Sequence, residues 1–117
     1  MTQSKIQLFD PNLQLSAAFL KALAHPARLA ILNYLAETKT CITSDIANKL
    51  PLSRTTVNQH LTELKNAELI KGHTEGVKTY YCLNSEKIQE LKKILERFMG
   101  KISNPENCCS QEKKTTV

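Results

Sequence analysis

The stretch Thr43–Ser44–Asp45–Ile46–Ala47–Asn48–Lys49–Leu50–Pro51–Leu52–Ser53–Arg54–Thr55–Thr56–Val57–Asn58–Gln59–His60–Leu61 decides the fold. It predicts a short helix, a tight turn and a second helix. Ile46, Ala47 and Leu50 form one apolar side of the first helix, Pro51 stops it, and Ser53 is placed to cap the second. Val57, Leu61 and Leu64 then recur at spacings of four and three, an inward stripe. The opposite face offers Arg54, Thr55, Asn58, Gln59 and Thr62. Packing against a core does not call for so many short hydrogen-bonding side chains at a helix entrance; reading base edges does.

Downstream, Leu69–Thr74 and Val77–Leu83 read as two short strands joined through Glu75–Gly76, because β-branched and aromatic residues flank a turn containing Gly. A helix-turn-helix followed by a hairpin is a winged helix. The expected fold is therefore mainly α with a β-hairpin wing. A last helix begins near Ser85, a capping candidate. Ile88, Leu91, Leu95, Phe98 and Ile102 repeat along it at spacings of three and four, with Ile94 beside them. Two heptads are too few for a free coiled coil, so this seam is expected to pack against a second copy of the chain.

Upstream, Leu13, Leu15, Ala18, Phe19, Ala22 and Leu23 recur at helical spacing. His25–Pro26 punctuates, and a second helix follows with Leu29, Ile31, Leu32 and Leu35 turned inward. This organisation divides the chain into a flexible arm over 1–12, a DNA-binding and dimerisation domain over 13–102, and a flexible polar tail over 103–117. No internal repeat or low-complexity segment interrupts it.

At 117 residues there is room for one domain with a modest core. No apolar run reaches membrane-spanning length and no signal-peptide pattern opens the chain, so a cytoplasmic protein with no membrane partner is expected. The net charge is +5 and the isoelectric point about 9.1, compatible with a polyanionic partner. The charge is dispersed. From Ser53 to Lys78, Arg54, Lys65, Lys71 and Lys78 face Glu63, Glu68 and Glu75, so arrangement, more than composition, argues for nucleic acid.

In that arrangement Arg54, Thr55, Asn58 and Gln59 are candidate base readers, while Ser53, Thr56 and the helix N-terminus are candidate phosphate holders. Lys71, His73 and Lys78 would lie along the adjacent backbone or minor groove. A helix-turn-helix that serves only as a protein-interaction scaffold is the competing reading. His60 stands three residues from Val57, beside the apolar stripe, so a packed histidine competes with a base reader there. An enzyme is not expected: there is no nucleophile–base pairing, no spaced acid pair and no glycine-rich phosphate loop among only three glycines.

The four cysteines, Cys41, Cys82, Cys108 and Cys109, form no C-x-x-C pair and should be thiols in a reducing compartment. Adjacent Cα atoms lie about 3.8 Å apart, short of the roughly 4.4–6.8 Å of ordinary disulfides. Cys108–Cys109 is therefore read as a paired thiol donor. In a polar tail it has no packing use. Cys82 reads as an incidental thiol, and Cys41 as either a small buried residue or a third ligand.

Leu23–Ala24–His25–Pro26–Ala27–Arg28–Leu29–Ala30–Ile31–Leu32, then Leu52–Ser53–Arg54–Thr55–Thr56–Val57–Asn58–Gln59–His60–Leu61, then Gly76–Val77–Lys78–Thr79–Tyr80–Tyr81, together resemble the ArsR/SmtB family over residues 15 to 100. The resemblance implies a homodimeric winged-helix repressor whose first and last helices form the interface, here through Leu15, Phe19, Leu91, Leu95, Phe98 and Ile102. It implies that the helix from Ser53 enters the major groove of a palindromic double-stranded operator. It also implies an inducer, commonly a metal, metalloid or thiol-reactive species, and no constitutive cofactor.

Three sensing sites common in that family are missing. The C-x-C of one arsenite-sensing branch would fall on Ile42 and Ser44. The last helix has no His for a zinc site, and Asn33 stands about where sulfide-responsive members carry a Cys. Cys108–Cys109 instead resembles the vicinal pair near the C-terminus of another arsenite-responsive branch. Soft thiolates suit trivalent arsenic, with Cys41, Cys82 or a partner subunit supplying a third sulfur. Six residues separate Ile102 from Cys108, about 20 Å at full extension, so the tail can reach the domain. Oxidant or electrophile sensing by the same thiols, soft-metal sensing, and a metalloid carrier built on a winged-helix scaffold are the alternatives.

Overall fold

The computed structural model describes residues 5–39 and 41–107, and at Ile6, Cys41, Ile42 and Asn107 the backbone only. A single 3-10 turn, Lys5–Leu8, leads into helix α1 (Pro11–Leu23). Asp10 caps α1 by accepting the Asn12 N–H on Oδ1 at 2.7 Å, and Pro11 supplies the first turn. The helix therefore starts two residues before the apolar period does.

Helix α2 (Pro26–Thr38) is capped by His25, whose Nδ1 accepts the Ala27 N–H at 3.0 Å. Ala27, Ile31 and Leu35, spaced by four, form its buried row. Leu29, expected inward, is 49% exposed. It stands two residues, about 200° of helix, from Ile31 and so faces the other way.

A two-residue strand, β1 (Cys41–Ile42), precedes α3 (Thr43–Lys49), and α4 (Arg54–Asn66) follows the turn at Leu50–Ser53. Strands β2 (Ile70–Glu75) and β3 (Lys78–Leu83) form the hairpin. Its two loop residues are Gly76 and Val77, because Glu75 pairs with Lys78. Gly76 takes φ +67°, the left-handed conformation that a two-residue hairpin turn needs at that position. The expected hairpin gains a third strand: β1 pairs antiparallel with β3, Cys41 opposite Tyr81 and Ile42 opposite Tyr80, giving the order β1-β3-β2. The winged helix-turn-helix is thus mainly α, with the wing anchored on both sides of β3.

The core collects one stripe from each helix: Ala22, Ile31, Leu35, Ile46, Val57, Leu61, Leu64 and Leu91, closed by Leu69 and Ile70 where the wing begins. The inward stripe on α4 is as expected, with Val57, Leu61 and Leu64 all buried. Helix α5 (Ser85–Ile102) is capped one residue earlier than Ser85, by Asn84, whose Oδ1 accepts the Lys87 N–H. Leu91 leaves the expected dimer seam. It is 4% exposed and packs inside its own chain. Among the described residues no single helix is long and apolar enough to cross a membrane.

Helix α4 ends in a Schellman arrangement: the Glu68 N–H donates to Lys65 O at 2.9 Å and the Leu69 N–H to Leu64 O at 3.0 Å. That motif needs a left-handed residue, and Glu68 supplies it at φ +65°. Asn84 closes the corner, donating its N–H to Leu69 O and its Nδ2 to Glu68 O, each at 2.9 Å. Glu68→Gly is expected to stabilise the fold by about 0.5–1 kcal/mol, since Gly pays no Cβ penalty there. The Lys87–Glu68 ion pair at 3.3 Å that it removes, with Glu68 exposed and Lys87 half-buried, is worth less. A rise in thermal midpoint checks this, and a fall would show that the ion pair outweighs the backbone strain.

Candidate nucleic-acid interface

The entrance of α4 is built by Ser53, whose extended backbone (φ −70°, ψ 159°) turns the chain into the helix. Its Oγ accepts the Thr56 N–H at 3.1 Å and donates to Thr56 Oγ1 at 3.0 Å. Both functions of the Ser53 hydroxyl are therefore engaged in the cap, and Thr56, half-buried, shares in it. Arg54, Thr55, Asn58, Gln59 and Thr62 are all exposed. The Thr62 hydroxyl is turned back onto Asn58 O at 2.9 Å.

Arg54, Asn58 and Thr62 fall in one row at a spacing of four. They form one wall of a polar groove of about 550 Å³, whose other walls are Thr43 and Ser44 at the start of α3 and Val77, Lys78, Thr79 and Tyr81 of the wing. Among the described residues, Arg54 and Lys78 are the charged ones lining it, both cationic. Thr55 and Gln59 project from the exposed side of α4 outside that wall. Sequence reasoning missed the contributions of Thr43, Ser44, Thr79 and Tyr81. They depend on β1, which ties the start of α3 to β3, and a two-residue strand leaves almost no periodic signal.

Cross-strand pairing sorts the wing into two faces. Thr79 and Tyr81 face the groove, opposite Thr74 and Gly72. A Cβ at Gly72 would stand 3.0 Å from the Tyr81 ring, so Gly is what lets that ring lie across the strand. Lys71, His73, Tyr80 and Cys82 occupy the other face. There His73 stacks on Tyr80 with centroids 5.4 Å apart and lies 3.9 Å from Glu75. Of the three expected wing contacts, only Lys78 stands at the tip. Lys71 sits at the base opposite Cys82, and His73 midway.

His60 is a correction. It is 8% exposed, on the core side of α4. Its Nδ1 accepts a hydrogen bond from Arg28 Nε at 3.1 Å, and its ring meets that of His25 at a centroid distance of 4.3 Å. It is not available to a base edge. Burial, then the neighbouring His25 and Arg28 charges, hold its pKa below the usual histidine value.

Helices α1 and α5 present the second surface. Phe19, Leu23, Ile88, Leu95 and Met99 line an apolar cleft of about 350 Å³, flanked by Lys92 and Glu96. Leu15 is 37%, Met99 49% and Ile102 61% exposed, while Phe98 is half-buried. Among the described residues no three His, Cys, Asp or Glu side chains gather as a metal site. Cys108 and Cys109 lie outside the described residues, as does the Cys41 side chain. Cys82 is half-buried and thiol-bearing.

A helix-turn-helix whose second helix and wing enclose a cationic, hydroxyl- and amide-lined groove defines a DNA-binding regulator. Residues 25–71 match the family model described as bacterial regulatory protein, arsR family. The chain is 34% identical over 84 residues to the transcriptional repressor PagR of Bacillus anthracis, covering 72% of this chain and 84% of PagR. It is 33% identical over 84 residues to the transcriptional repressor SdpR of Bacillus subtilis, covering 72% and 92%. A solved structure described as a possible transcriptional regulator for arsenical resistance superposes with a TM-score of 0.63 at 26% identity, covering 68% of this chain and 81% of the other. The chain belongs to the arsR family of bacterial regulatory proteins.

Proposed function

We propose that this protein is a homodimeric transcriptional repressor that holds a palindromic operator through α4 and the wing, and that arsenite or a similar thiophilic species releases it. The groove and the exposed face of α4 beside it carry the reading. Arg54 and Asn58 in the groove wall and Gln59 just outside it are donors and acceptors of the kinds that discriminate guanine and adenine, and Lys78 meets the backbone beside them. A repressing role is supported by PagR and SdpR, both transcriptional repressors. Dimerisation is supported by the apolar cleft between α1 and α5 and by the exposure of Leu15 and Ile102 on the same two helices. Such a regulator works in the cytoplasm.

The inducer reading rests on Cys108–Cys109, with Cys41 as a candidate third ligand, and on the likeness to the arsenical-resistance structure. Binding on the tail releases DNA only if the inducer prefers the dimer geometry that does not fit the operator. The test is a fluorescence-anisotropy titration of the operator complex with arsenite, antimonite, zinc, cadmium and persulfide. Arsenite should release DNA from the natural chain and fail to do so with Cys108→Ser/Cys109→Ser. An unchanged arsenite response in the double variant eliminates the tail site. Release by persulfide alone would instead assign the pair to redox sensing. A carrier that only buffers metalloid gives no salt-resistant specific shift with the DNA upstream of its own gene.

A further inference from the structure

Arg28 joins three helices at one point. Its Nε donates to His60 Nδ1 on α4 at 3.1 Å, and its Nη1 donates to Ala22 O in the last turn of α1 at 3.1 Å, from a side chain rooted in the first turn of α2. His25, the cap of α2, lays its ring against His60. None of these residues lines the groove between α4 and the wing. They fix α4 relative to α1, the helix that carries part of the apolar face. The face of α4 that would meet DNA is one side of a rigid rod, so what holds the rod's other side sets its angle.

The hydrogen bond dictates a protonation state. A guanidinium has donors only and does not lose its proton, so the atom facing it must present a lone pair. His60 Nδ1 is therefore bare and the imidazole neutral. A proton at Nδ1 would set N–H against N–H and cation against cation at a part-buried contact. The charges that bear on His60 are those of His25 and Arg28, both from α2. Lys21 of α1 and Glu63 of α4 line the adjoining surface cleft with them. Asp45 and Lys49 of α3, and Lys71, His73 and Glu75 of β2, are exposed.

We propose that Arg28 and His60, backed by His25, are positioning residues for the DNA-reading helix, and that protonation of His60 releases the brace and weakens operator binding without separating the dimer. The proposal rests on the reading of α4 as the DNA-contacting element. The sign follows from the lowered pKa. Above the ordinary value of 6.5 the ring is neutral whether or not the brace is closed. As pH falls below it, a released or unfolded His60 takes a proton before a braced one does, so the braced state loses ground with falling pH.

The probe is a duplex selected by the protein from a random pool at about pH 7.5, with binding then measured down to about pH 5.5. All chains carry His73→Gln, which removes the exposed wing histidine from the titration. The parent should bind on the order of tenfold more weakly at the acid end, the worth of one charge-assisted hydrogen bond. His60→Asn keeps an acceptor where Nδ1 stands but cannot titrate, and should hold its affinity within about twofold across the window. Arg28→Met should bind more weakly at the start and show a shallow pH profile. Sedimentation at both ends should report a dimer.

A flat parent profile overturns the proposal. So does a His60→Asn profile as steep as the parent's, or acid loss that tracks dissociation of the dimer. If His60→Asn does not fold by circular dichroism, Arg28→Met decides, and retention of the parent's full slope overturns the brace. Arg54→Ala separates the two layers: an unchanged affinity at pH 7.5 removes the reading helix itself, whereas a failed brace leaves the Arg54 effect intact. A pool that yields no selected duplex overturns both.

Discussion

Alanine in place of Arg54 is expected to weaken specific operator binding by about 1–3 kcal/mol, roughly ten- to a hundredfold, and to relax base preference at one position in each half-site. Arg54 is exposed in the first turn of α4, in the row with Asn58 that walls the groove. A guanidinium there presents two parallel donors, the geometry that fits a guanine edge. Lys78→Gln, across the groove at the wing tip, should act differently. A lysine near phosphate contributes by displacing counterions, so its loss should lower affinity about equally for all sequences and reduce the salt slope by about one. Binding of wild-type and single-base-variant duplexes across a salt series measures both. Equal losses on every duplex from Arg54→Ala would move the base-reading role elsewhere on α4.

Leu91→Ala is expected to cost about 2–5 kcal/mol of folding stability, and the loss should not depend on protein concentration. Leu91 is 4% exposed within a single chain, amid the core shared with Leu35 and Leu64. Removing three heavy side-chain carbons there leaves a cavity that the surrounding helices close only partly. Leu95→Asp should do the converse. Leu95 lines the open apolar cleft with Phe19 and Met99, so a carboxylate at this position leaves the monomer folded while opposing association with a second copy. Denaturation at two concentrations and sedimentation of both variants distinguish the outcomes. A Leu95→Asp protein that remains a dimer would put the interface on another face.

These two leucines show where the sequence speaks clearly and where it does not. The spacing of Ile88, Leu91, Leu95, Phe98 and Ile102 announces an apolar helix face without saying what covers it. The same stripe serves the chain's own core at Leu91 and lies open at Ile102. On α4 both faces were legible for most positions, because Val57, Leu61 and Leu64 needed burial and Arg54, Thr55, Asn58, Gln59 and Thr62 fell on the opposite side. His60 was ambiguous because its angular position borders the stripe. Only the arrival of Arg28, thirty-two residues away in sequence, decides its role. Strand β1 was invisible since two residues have no period, and the groove walls at Thr43 and Thr79 went with it. Asn84 in place of Ser85 is a one-residue error between two good caps.

The corner where Asn84 holds Glu68 and Leu69 gives the molecule a fulcrum. Helix α5 leaves that point as a single arm of eighteen residues, about 27 Å long at the α-helical rise. Helix α4 ends at the same point and extends about 20 Å from it. Asn84 ties the start of the longer rod to the end of the shorter one through its two hydrogen bonds, so the two helices share one joint. The far half of the longer rod is not left hanging: Ile94, Arg97, Phe98 and Lys101 share a pocket with Asp10, Leu13 and Ser16 at the start of α1, so the two ends of the chain's helical frame meet there.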